Sequence, residues 1–85
     1  MNIEEIKNSI RTYIQEHFCK DMDVSELKDD TPLLSGGIID SISTMQVVAF
    51  LEKTFGFEFE AYEVDRDNLD SISIMADFVQ KKING

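Results

Sequence analysis

Between residues 20 and 40 the chain abandons the helical spacing that governs it on either side, and this interruption constrains the fold most. Before it, Ile3, Ile6, Ile10 and Ile14 recur at three- and four-residue intervals, which place side chains on one helix face, with Tyr13 and Phe18 near them. After it, Val47, Val48, Leu51 and Phe55 do the same. Inside it stand Pro32, which has no amide donor and clashes with a preceding helical turn, and the pair Gly36-Gly37. Two helices must therefore be held apart by a long loop, and a long loop in so short a chain is either packed or functional. Val24, Leu27, Leu33, Leu34 and Ile38 give it apolar anchors onto a core.

The first helix is expected over residues 3–19, with Asn2 and Glu5 at the spacing of a capping box. The second is expected over 41–55, capped by the Asp40 carboxylate and ended by Gly56. Phe57-Glu58-Phe59-Glu60 alternates like a strand, but over four residues and without a partner strand, so 57–70 is read as extended loop. One short helical turn fits within 63–69. The last helix spans 71–83, carrying Ile72, Met75, Ala76, Val79 and Ile83 at helix spacing with Phe78 beside them. Lys81 and Lys82 suit its negative end, and Asn84-Gly85 stop it. The fold class is all-α: a small three-to-four-helix bundle with a long loop between helices 1 and 2, formed by residues 1–85 as a single domain.

The chain has 85 residues and a hydrophobic fraction of 42% with six Phe, enough for one modest core and no separate catalytic domain. A deep substrate cleft is not expected. Seventeen acids against eight bases give a net charge of −9, the wrong sign for a nucleic-acid footprint and the right one for meeting basic patches on partner proteins. One cysteine, Cys19, allows no disulfide framework and no cysteine metal site, and is read as a small half-buried residue. His17, with no ligand-spaced partner, is read as a surface residue near a helix end. The acids of residues 20–30 lack the alternate spacing, sixth-position Gly and closing Glu of an EF-hand. No apolar run is long enough to span a membrane and no signal peptide is recognisable, so a cytoplasmic monomer is expected.

Asp-Ser-Ile-Ser occurs twice, at 40–43 and at 70–73. Both residue types cap helices, so the tetrapeptide alone marks only a helix start. Ser71 is read that way. Ser41 differs, because Gly36-Gly37 lets the chain turn tightly before it while Ile38 and Ile39 pin the loop end. Its place at a helix N-terminus favours a phosphate, although Asp40 opposes one by charge and is available to orient a modifying enzyme or its metal. No His, Lys or second acid nearby is placed to activate it, and no Gly-x-Ser-x-Gly elbow is present. A serine so presented is an attachment point rather than a nucleophile. Beside it Ile42, Met45, Ala49 and then Glu52 form a second stripe, which a helix packed on one side cannot bury together with the first.

The run Thr31-Pro32-Leu33-Leu34-Ser35-Gly36-Gly37-Ile38-Ile39-Asp40-Ser41-Ile42-Ser43, continuing through Leu51-Glu52-Lys53-Thr54-Phe55-Gly56, resembles the acyl and peptidyl carrier protein family across essentially the whole chain. The resemblance implies that Ser41 receives 4′-phosphopantetheine from coenzyme A through a separate phosphopantetheinyl transferase, with Asp40 as the preceding motif residue. It implies a freestanding, non-enzymatic carrier that displays acyl or aminoacyl groups as thioesters to an activating enzyme and to a downstream synthase or transferase. It makes the second helix a recognition element, with Ile42, Met45, Gln46, Ala49 and Glu52 facing partners. Ile42 stands where the family most often has Leu, Gln46 where fatty-acid carriers usually have Glu, and Lys53 interrupts the usual acidic end. These departures point away from the housekeeping fatty-acid enzymes. Glu63-Val64-Asp65-Arg66-Asp67-Asn68 is similar to discrete carriers of amino-acid activation or specialised pathways, the D-alanyl carriers among them. The competing reading from the residues alone is a small acidic helical adaptor without a prosthetic group.

Overall fold

In the computed structural model, which describes residues 2–21 and 26–84, four helices follow one another: α1 (Ile3–Phe18), α2 (Ser41–Phe55), α3 (Arg66–Leu69) and α4 (Ile72–Asn84). Among the described residues there is no strand, and 57–60 carries no regular secondary structure. Helix α1 begins where its capping box places it: Asn2 Oδ1 accepts from the Glu5 amide at 2.9 Å, and the Glu5 carboxylate accepts from the Asn2 amide. It ends one residue earlier than expected, with Cys19 as the C-cap. Cys19 is also more buried than a half-buried residue, at 8% exposure, and that burial pushes its thiol pKa up. Helix α2 starts on the Asp40 cap and stops at Gly56, whose φ of 72° is the left-handed geometry glycine adopts without strain.

The anticipated stripes form the core. Ile6, Ile10 and Ile14 of α1, Val47 and Leu51 of α2, Leu69 of α3, and Ile72, Met75, Ala76 and Val79 of α4 are fully enclosed. Each such Val, Leu, Ile or Met side chain contributes on the order of 1.5–3 kcal/mol by leaving water. Helix α1 packs mainly on α4, and α2 joins them through Phe50, whose ring stacks on Tyr13 with centroids 3.9 Å apart. A second aromatic cluster joins the extended segment to α4, with Phe59 stacked on Phe78 at 4.8 Å and Phe57 beside both.

The long loop is sewn to the bundle. Leu27, Leu33 and Ile39 are buried, and Leu34 and Ile38 pack partly against the core. The expected Val24 anchor and Gly85 lie outside the described residues, and Asn84, expected to help stop the last helix, is instead its final helical residue. Arg11 donates through Nε to the Leu27 carbonyl at 2.9 Å and pairs with Asp29, which Lys7 also meets at 3.1 Å. These cations hold the Asp29 carboxyl below the usual carboxylate range, the Lys7 hydrogen bond acting first. The Asp29 carbonyl in turn accepts from the Ser73 amide at 2.9 Å.

Two short helical elements occupy the segment read from sequence as mostly extended: a 3-10 turn at Ala61–Glu63 and α3. Local capping explains both. The Glu63 carboxylate accepts from the Glu60 amide at 2.7 Å, and the Asp65 carboxylate accepts from the Asn68 amide. Helix α4 begins at Ile72, one residue later than expected, because Ser71 is its cap: Ser71 Oγ accepts from the Ile74 amide at 3.1 Å.

Candidate functional site

The two Asp-Ser-Ile-Ser tetrapeptides sit one residue out of step relative to their helices. At 40–43 the aspartate caps. Asp40 Oδ1 accepts from the Ser43 amide at 2.7 Å, and Thr44 Oγ1 donates to the Asp40 carbonyl at 2.7 Å. Ser41 thereby becomes the first residue of α2 and is exposed. Among the described residues, its hydroxyl makes no hydrogen bond. At 70–73 the serine caps. Ser71 is 6% exposed, and the displaced Asp70 reaches back across the fold. Of the two serines in identical sequence, only Ser41 is reachable.

Asp70 fixes the loop that leads into Ser41. Its Oδ1 accepts from the amides of Leu34 (2.8 Å) and Ser35 (2.9 Å), its Oδ2 accepts from Ser35 Oγ (2.8 Å), and its carbonyl accepts from the Leu33 amide (2.6 Å). The Ser35 amide first, with the Ser35 hydroxyl and the Leu34 amide, holds the Asp70 carboxyl below the usual carboxylate range. The Leu33 carbonyl then accepts from the amides of both Ile38 (2.9 Å) and Ile39 (3.0 Å), closing the turn. The turn needs both glycines. Gly37 has φ +77°, and a Cβ on Gly36 would stand 2.2 Å from the Pro32 carbonyl oxygen.

A cleft of about 560 Å³ opens beside Ser41. It is lined by Ser41, Thr44 and Met45 of α2, by Val64, Asp65 and Arg66, and by Leu34, Gly37 and Ile39 of the loop. Asp40 also lines it, its carboxyl held below the usual range chiefly by the Ser43 amide. On the outer face of α2, Ile42 is 78% and Met45 56% exposed, and Gln46 and Ala49 are exposed with them. Ile42 and Met45 are large apolar groups left in water while Val47, Val48 and Leu51 are buried on the opposite side, so the two stripes divide as their spacing implies. Glu52 departs from the rest of its stripe. It is half-buried, and its carboxylate accepts from the Phe59 amide at 2.8 Å.

The other polar candidates stay apart from this site. His17 is exposed in the last turn of α1 with its ring against Tyr13 at 4.2 Å. No group of His, Cys and carboxylate side chains suited to a metal occurs among the described residues. Sequence reasoning assigned no part in this site to Arg66, Thr44 or Asp70. Asp70 is legible only as part of a helix-start tetrapeptide, and Arg66 comes to line the same cleft as Ser41 only through the tertiary fold.

Comparison with known proteins agrees with this geometry. A family model described as a phosphopantetheine attachment site matches residues 12–79, a span that holds the whole loop, α2 and most of α4. A D-alanyl carrier protein of Streptococcus suis (strain 98HAH33) is 34% identical over 64 residues, covering 75% of this chain and 77% of that protein. One from Streptococcus pyogenes serotype M5 (strain Manfredo) is 30% identical over 59 residues, covering 69% and 73%. No described helix is long and apolar enough to cross a membrane. With an all-helical fold, a fixed loop leading into α2 and matches of this extent, the chain belongs to the family of phosphopantetheine-dependent carrier proteins.

Proposed function

We propose that this chain, as one carrier domain, holds an aminoacyl group, D-alanyl by preference, on a 4′-phosphopantetheine arm joined to Ser41 Oγ. The observation that carries the attachment residue is the contrast within the repeated tetrapeptide. Ser41 is exposed with an unengaged hydroxyl beside an open cleft, whereas Ser71 is buried and spent on capping. The residues present fit the arm: a reachable hydroxyl, a cleft beside it, and a cation, Arg66, in the lining of that cleft. When bound, the arm supplies a thiol for thioester formation, which no exposed side chain here offers.

The chain's own work is to present and to be recognised. Asp40 and Thr44 lock the first turn of α2, so Ser41 is held at a fixed angle to the transferase that modifies it. Ile42, Met45, Gln46 and Ala49 give partners a modest apolar face beside the serine, suited to brief contacts with several enzymes. In this reading catalysis belongs to the partners: a phosphopantetheinyl transferase, an amino-acid-activating enzyme and an acceptor transferase in the cytoplasm.

The aminoacyl preference draws on two supports. The similar proteins described above are D-alanyl carriers. Helix α2 also has a single acid, Glu52, and that carboxylate is engaged by the Phe59 amide rather than offered to a basic partner. The test is a loading competition. The arm-bearing protein is given D-alanine with an amino-acid-activating enzyme, or a fatty acid with an acyl-activating enzyme, and its intact mass is followed. Faster mass gain with D-alanine is expected, and preferential fatty-acyl loading would overturn the cargo assignment.

A further inference from the structure

We propose that Arg66 is a positioning residue for the prosthetic arm: its guanidinium pairs with the phosphodiester at Ser41 and draws the arm toward the cleft between α2 and residues 64–66. This rests on Ser41 being the attachment residue. The starting point is a charge problem. The positive end of α2 would welcome a phosphodiester, but the Asp40 carboxylate already stands there, 2.7 Å from the Ser43 amide. A phosphodiester on Ser41 would add a second negative charge next to it, within a chain whose net charge is −9. The helix end alone does not offset that.

Arg66 is the one basic side chain lining the cleft that Ser41 opens onto. It is exposed, and it forms no ion pair among the described residues, unlike Lys7, Arg11 and Lys82. Its charge is felt at Asp70 only as a longer-range influence that ranks last among the causes of that carboxyl's lowered pKa. Asp65, its neighbour in the lining, has its carboxylate directed to the Asn68 amide at 3.3 Å. The guanidinium is therefore uncommitted. Its planar fork of donors matches two phosphodiester oxygens at once, which a lysine ammonium does not reproduce. An uncommitted arginine in the lining of the cleft makes the direction toward it favourable for the arm, whereas a neutral lining would leave the arm free to sweep over Asp40.

The test uses the protein before and after modification by a phosphopantetheinyl transferase, with Arg66→Gln and Arg66→Lys alongside. In nitrogen-labelled wild type, the Arg66 Nε–H resonance is expected to move on attachment. The phosphorus resonance is expected to differ from that of a short serine peptide carrying the same arm. In Arg66→Gln that difference should vanish, and Arg66→Lys should restore part of it. Helical circular dichroism should be unchanged in both variants, since Arg66 is exposed and unpaired. A phosphorus resonance in Arg66→Gln equal to wild type, or an Arg66 resonance indifferent to attachment, would overturn the inference while leaving Ser41 in place. Failure of wild type to gain the arm's mass, or a gain that survives Ser41→Ala, would overturn both.

Discussion

Replacing Asp70 with alanine removes the clamp that sets the loop before Ser41, and its consequence can be worked from the bonds it makes. Three donors converge on this carboxylate: the amides of Leu34 and Ser35 and the Ser35 hydroxyl, all between 2.8 and 2.9 Å. Hydrogen bonds to a charged group contribute roughly 1.5–3 kcal/mol each, which would sum to well above 4 kcal/mol. Ser35 is exposed and Leu34 half-buried, however, so water replaces part of what is lost. The expected destabilisation is about 2–3 kcal/mol, or a fall in Tm of roughly 10–20 °C for a domain of this size. Urea or thermal unfolding by circular dichroism measures it.

Two controls isolate the cause. Ser35→Ala removes only the hydroxyl donor, so its effect and that of Asp70→Ala should be non-additive, with a coupling of about 0.5–1.5 kcal/mol. The second is pH. The folded-state pKa of Asp70 is lowered, so its contribution is fully present above the ordinary aspartate value near 4 and fades as pH falls below it through the folded value. The stability gap between wild type and Asp70→Ala should therefore be constant from pH 7 to about pH 5 and shrink below about pH 4. A loss under about 0.5 kcal/mol, strict additivity with Ser35→Ala, or a gap that widens on acidification would refute the clamp.

The glycine turn and the recognition face give further predictions. Gly37→Ala forces a φ of +77° on a residue with a Cβ and should cost about 1–2 kcal/mol; Gly36→Ala, which must move the Pro32 carbonyl, should cost at least as much, both read from denaturant midpoints. Ile42→Glu and Met45→Glu should leave Tm within a few degrees, because both side chains already lie in water, yet lower kcat/KM for the modifying transferase at least several-fold. Equal rates for wild type and both variants would remove α2 from the partner surface.

Much of this architecture is legible locally. The α1 capping box, the Asp40 cap, the Gly56 stop and the isoleucine stripe each depend on residues within a turn or two, and the structure shows all of them. What escapes a sequence reading is decided by distant parts of the chain. Asp-Ser-Ile-Ser starts one helix on its aspartate and the other on its serine, and nothing in the four residues distinguishes the two. The choice at 70–73 follows from Leu34 and Ser35 arriving as donors, which requires the finished fold. Glu52 similarly looks like a free acid on the outer stripe until the chain after Gly56 brings the Phe59 amide to it. Phe50 lies between the two stripes by its spacing, and its stacking on Tyr13 of α1 needs the finished fold. Burial follows periodicity, whereas polar pairings follow topology.

The account stands on Ser41 as the attachment residue, and one measurement addresses that directly. The protein is incubated with coenzyme A and a broad-specificity phosphopantetheinyl transferase, and intact mass and peptide mapping are read for wild type, Ser41→Ala and Ser71→Ala. The account predicts one added phosphopantetheine in wild type and in Ser71→Ala, mapped to the peptide containing Ser41, and none in Ser41→Ala. An unmodified wild type would favour the adaptor without a prosthetic group, and an adduct persisting in Ser41→Ala would contradict the site itself.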